Sequence, residues 1–189
     1  MRWATLFSLW GAVCLAQSEG LPPVWETQKS VQELIDKLTP LGPLLERLDP
    51  GVWVEKGAPA VYRDQLKSAQ DQFQYVLNTA RRLLKQPDSL SLALEAGLRS
   101  QSLEFSILSV AEVVRRYQNS AIAELITSQF GESAVHREKL RQYVIALAAA
   151  KEQELAVADR EAQRCRDILS RQPVTPPKPT VPPKKEVKK

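Results

Sequence analysis

Between Pro87 and Pro173 the chain has no proline, and only Gly97 and Gly131 interrupt that span. A sheet protein needs turn residues about every eight to twelve positions, so so long a breaker-free stretch points to helices. Residues 89–129 carry the strongest pattern within it. Leu94, Leu98, Phe105, Leu108 and Ala111 fall on one helical stripe. Leu103, Ile107, Val110, Val114, Tyr117 and Ala121 fall on a neighbouring one, both at steps of three, four or seven. A surface helix needs a single stripe; two adjacent stripes suit a helix flanked on several sides, which places this segment at the centre of a bundle.

The segments around it have the same period. Val31, Leu34, Ile35 and Leu38 share a face and predict a helix over 27–38, followed by a short turn over 43–48 because Pro40 and Pro43 interrupt the pattern. Asp49-Pro50-Gly51 then reads as a close, and 52–59 as a connector in which Trp53 plugs the end of the bundle or, alternatively, stacks on a ligand. From Pro59 to about Lys85, Tyr62, Leu66, Ala69, Phe73, Val76, Ala80 and Leu83 recur at alternating steps of four and three, with Val61, Leu77 and Leu84 widening the seam. Asp88, Ser89 or Ser91 can cap the central helix, and Tyr117-Gln118-Asn119-Ser120 is its weakest point, favouring a break before 121–129. The last helix should run over 134–170, with Leu140, Val144, Leu147, Leu155, Ala158, Ala162, Cys165 and Leu169 along one side and Lys151 in a slot between them. At ~1.5 Å per residue it would be about 55 Å long against about 40 Å for the helix that starts at Pro59, so one end should overhang and either project or find another chain. The fold class predicted is all-α: an antiparallel bundle of four main helices, with 121–129 continuing the third or forming a fifth, short one.

The ends differ from this body. Residues 1–16 read as an export signal: Arg2, an uncharged apolar run over 4–13, then small residues at Cys14 and Ala16. That run is well short of the ~20 residues a membrane span needs, and Val13 ahead of Cys14 argues against a lipid anchor. Residues 17–26 read as flexible, 27–170 as the bundle domain and 171–189 as a tail. The tail holds six prolines and five lysines beyond Arg171 and should be disordered with polyproline II bias. It has six basic residues and one acid, whereas 17–170 has 19 basic residues against 21 acidic, so the pI near 9.1 belongs to the tail and no nucleic-acid partner is expected. Once the leader is removed Cys165 is the lone thiol, read here as a buried small hydrophobe in preference to a bridge between two copies.

Catalytic equipment is sparse. His136 is the single histidine, no G-x-S-x-G accompanies it, and its helical neighbours suggest an exposed first-turn residue paired at most with Glu132. One histidine and one cysteine on the same helix do not make a zinc set, and the two Glu-x-x-His copies of a di-iron bundle are missing. Glu112, which approaches the core, should pair with Arg115 or Arg116 or with a basic residue across the interface, in preference to serving as a catalytic acid. No cofactor or metal is expected, and no enzyme activity. The expectation is an exported protein, periplasmic or secreted, of bacterial origin as far as the absence of an N-x-S/T sequon bears on it. It would act as a structural or protein-interaction module, using helical faces toward a protein and Lys178, Lys184, Lys185, Lys188 and Lys189 toward an anionic membrane or wall surface. The alternative is a carrier or holdase sheltering an apolar ligand or unfolded chain in a cavity lined by Trp53, Phe73, Phe105 and Tyr117.

Overall fold

A computed structural model describes residues 20–171, so the expected leader and, apart from Arg171, the expected tail lie outside the described residues. Those described form seven helices and no strand: α1 Val24–Leu38, α2 Leu41–Glu46, α3 Pro50–Glu55, α4 Val61–Lys85, α5 Leu90–Tyr117, α6 Ser120–Gly131 and α7 Ala134–Arg171. The all-α bundle is therefore what this chain adopts. The four long segments are α1, α4, α5 and α7, and α6 is the shorter fifth.

The local chemistry explains most boundaries, including three that differ from expectation. The first helix begins at Val24, inside the segment read as flexible, because Pro23 stands before it with φ −56° and its carbonyl accepts the amides of Glu26 and Thr27 at 3.0 and 3.1 Å. Residues 41–46 are helical in place of 43–48: Pro40 caps α2 and Pro43 lies in its first turn, where a missing N–H costs no intrahelical bond. Asp49-Pro50-Gly51 opens a helix instead of closing a segment. Its Asp49 carboxylate accepts from the Gly51 amide at 2.8 Å, Pro50 takes the first helical position, and the supposed connector around Trp53 becomes α3. Gly57, with φ 90°, ends it in the left-handed conformation that glycine adopts without penalty.

The break after Tyr117 is present. The amides of Gln118 and Asn119 both bond to the Val114 carbonyl at 2.9 Å, and Asn119 then accepts from the Ala121 amide at 2.8 Å to start α6. Of the three candidate caps for α5, Ser89 is the one used. On α4 the seam from Leu66 to Leu83 is buried, with Leu77 added to it, but Val61 is exposed and does not widen it. The reason is position: Val61 opens α4, ahead of the first buried seam residue, Leu66.

Residues up to Lys151 make one compact unit with a continuous apolar core, in which α5 packs against α3, α4 and α6. Trp53 is 1 % exposed in it, and its indole Nε1 donates to Gln118 Oε1 at 2.7 Å. This is the plug at the bundle end, now with its polar edge satisfied. The start of α7 is tied down by Ser133, whose hydroxyl donates to the Phe130 carbonyl at 2.7 Å and accepts from Arg137 Nε at 3.2 Å. Arg137 in turn lies 4.1 Å from the centre of the Phe130 ring and pairs with Glu104 of α5 at 2.6 Å.

The second unit begins at Glu152, and every residue from there to Arg171 is exposed. Cys165 is exposed with them, against the expectation of a buried small hydrophobe, because no described element covers the helix there.

Two substitutions should separate core packing from helix propensity. Trp53→Ala should cost about 3–5 kcal/mol, by removing a large buried side chain and orphaning Gln118. Gly97→Ala should stabilise by about 0.5–1 kcal/mol, since a Cβ at that helical position would meet only the Val144 Cγ2 methyl at an ordinary 3.7 Å. Urea unfolding followed by circular dichroism measures both.

Candidate functional site

Of the two stripes on α5, one makes the core and the other is left on the surface. Leu103, Ile107 and Val114 are 0 % exposed and Val110 1 %, as a central helix requires. Leu94, Leu98, Phe105 and Leu108 are instead 42, 64, 67 and 51 % exposed, and only Ala111 of their stripe is buried. The expectation that α5 is covered on both sides is thus corrected: its neighbours occupy half of its circumference. The outer side carries this unpacked apolar row among exposed polar residues such as Gln101 and Glu112.

Helix α7 borders this surface. Glu104 meets Arg137, and Gly97 faces Val144, so position falls by seven on α5 as it rises by seven on α7, and the two run antiparallel. In that pairing Ile145, 65 % exposed, stands on the same side as Leu94 and Leu98. These five residues present on the order of 400–500 Å², within the range of the largest apolar patch a typical monomer exposes, which is often functional. Two ion pairs lie at its edges, and Arg116 is a further exposed cation there. Arg115 meets Glu112 at 2.7 Å, as expected from their spacing, and Arg141 bonds Glu138.

A second feature is a cleft of about 850 Å³ between α1 and α7, whose lining includes Leu21, Pro22, Pro23, Trp25, Val31, Leu140, Tyr143 and Ala146. Its polar groups include Glu26, Lys29, Glu33 and Lys139. Trp25 is 66 % exposed on its edge. At its floor the Tyr143 hydroxyl donates to the Pro87 carbonyl, joining α7 to the turn before α5. Burial raises the pKa of this phenol above its ordinary value; the Asp88 charge adds to the rise and the Thr27 hydroxyl opposes it. His136 is not the exposed residue expected. Its side chain is largely buried, and Nδ1 lies 3.4 Å from Glu33 Oε2, while Glu132 is engaged by Lys37 at 3.1 Å. The sequence could not show this, since Glu33 is a hundred residues away and reaches His136 only through the packing of α1 on α7.

The four residues put forward as a ligand lining are placed apart. Trp53 and Phe73 are in the core, the latter against Gly42, where an added Cβ would come within 3.0 Å of its ring. Tyr117 stacks on Tyr62 with ring centres 6.1 Å apart, and Phe105 belongs to the exposed α5 stripe. None of the four lines the α1/α7 cleft or a shallower polar one between α4 and α5. The lysines from Lys178 to Lys189 lie outside the described residues. Among the described residues no three His, Cys, Asp or Glu side chains gather as a metal set, and no helix is long and apolar enough to cross a membrane. Compared with protein-family models, curated proteins and solved structures, the chain matches none.

The Tyr143 bond has a pH signature. A phenol whose pKa is raised on folding holds its proton more tightly in the native state, so its stabilising contribution is complete below the unfolded value of about 10 and is lost as pH rises through the native one. Tyr143→Phe should therefore lower stability by about 1 kcal/mol near pH 7 and flatten the decline above pH ~10. Urea midpoints from pH 7 to 11 for both proteins test this.

Proposed function

We propose that this chain is an exported, non-catalytic interaction module, whose outer α5 face docks an apolar helix of a partner protein. The observation carrying this reading is the exposed row of Leu94, Leu98, Phe105 and Leu108. Such a row adds nothing to the core, and a partner helix laid along it would bury it. The rim supports a protein partner over a lipid one. Glu112 with Arg115 and Glu138 with Arg141 neutralise each other, leaving Arg116 as the exposed cation on that side, fewer than the cluster of cations a face for anionic lipid carries.

The lysines at 178, 184, 185, 188 and 189 are proposed to add a second contact, with an anionic membrane or wall surface, in keeping with the charge division between body and tail. The leader at 1–16 would deliver the protein to a periplasm or to the exterior. The carrier reading has one observation in its favour, the α1/α7 cleft, whose volume lies in the range of small-molecule sites. It would place an apolar ligand against Trp25 and Leu140, and a bound apolar dye should then be displaced by that ligand and lost in Trp25→Ala.

The double variant Leu98→Asp/Phe105→Asp tests the docking face. Both residues are exposed, so its melting temperature should stay within about 2–4 °C of wild type. Proteins recovered from envelope extract by the wild type should be missing with the variant; identical recoveries from the two would overturn the α5 site. Truncation after Ser170 should leave those proteins bound while abolishing salt-sensitive binding to anionic vesicles, and vesicle binding that survives truncation would remove the role given to the tail.

A further inference from the structure

Among the described residues, those of the second unit form a helix that no other described element covers. Residues 152–171 extend for about 30 Å at ~1.5 Å per residue, and every one of them is exposed. Isolated helices of this order are marginal in water, because nucleation is costly and nothing packs on an apolar face to repay it. Yet this one carries a regular seam. Leu155, Ala158, Ala162, Cys165 and Leu169 follow at steps of three, four, three and four, the spacing that keeps one stripe facing a second helix. Leu155 and Leu169 are 63 and 66 % exposed at its two ends, and alanines at its centre leave room for two backbones to approach closely.

The charges indicate which helix covers it. Residues 152–161 hold Glu152, Glu154, Asp159 and Glu161 against Arg160, a net −3; residues 162–171 hold Arg164, Arg166 and Arg171 against Asp167, a net +2. A helix with one acidic and one basic half is complementary to itself when reversed. We propose that residues 152–171 pair with the same segment of a second copy, antiparallel and about a two-fold axis near Arg160. Leu155 then faces the partner copy's Cys165, Ala158 faces its Ala162, and Glu152 comes beside its Arg166. Asp159 and Glu161 approach their own counterparts near the axis, which keeps the association modest. Parallel pairing would instead align acidic half with acidic half and set the two Cys165 thiols face to face.

This pairing uses none of the residues of the α5 docking face. Sedimentation velocity of the full chain should show mass moving from monomer to dimer as concentration rises through the micromolar range. Leu155→Glu/Leu169→Glu, which alters exposed positions only, should weaken the association at least tenfold with helicity retained, and an unaltered dimer in that variant would overturn the seam. A wild type that stays monomeric at several hundred micromolar would overturn the pairing altogether. Orientation is read by oxidation with copper–phenanthroline and peptide mapping. Leu155→Cys should give dimers linked through residues 155 and 165 of different copies, whereas Cys165–Cys165 links as the main product, in wild type or variant, would overturn the antiparallel arrangement.

Discussion

The bundle depends on burying one stripe of α5. Leu103, Ile107, Val110 and Val114 are almost wholly removed from water, and each contributes roughly 1.5–3 kcal/mol relative to exposure, a sum comparable to the whole stability of a domain this size. Among the described residues there is neither a disulfide nor a set of three side chains to hold a metal. The helices α3, α4 and α6 are held where they are because they cover that stripe. Directional contacts then remove the remaining freedom: the Trp53 indole on Gln118, the Tyr143 hydroxyl on Pro87, and Arg137 between Phe130 and Glu104.

Covering one side of a helix leaves the other to find a use. On α5 that other side carries an apolar row, and α7 adds Ile145 beside it instead of closing over it. Past Lys151 the same α7 carries an apolar seam with no described element against it. Both surfaces are given partners only by the proposals above, and they differ in character. The α5 row is bulky with two ion pairs at its edges; the α7 seam is small at its centre and divided in charge from end to end. An apolar helix of a foreign protein suits the first and a reversed copy suits the second.

The long helices, the α5–α6 break and the α4 seam from Leu66 to Leu83 were determined by the sequence itself, because hydrophobic period, proline placement and capping residues act over a few neighbouring positions. Trp53 as a plug and Glu112 with Arg115 were legible for the same reason, one by size and the other by spacing. Asp49-Pro50-Gly51 was legible too, but as a turn, since the same three residues can close one segment or open the next. Only tertiary structure decided which apolar stripe would be core. Periodicity records that Leu98 and Ile107 are both apolar and says nothing about which has a neighbour, because that depends on how many helices return to the same side. His136 meeting Glu33 and the exposure of Cys165 follow the same rule: each depends on what packs, or fails to pack, from far along the chain.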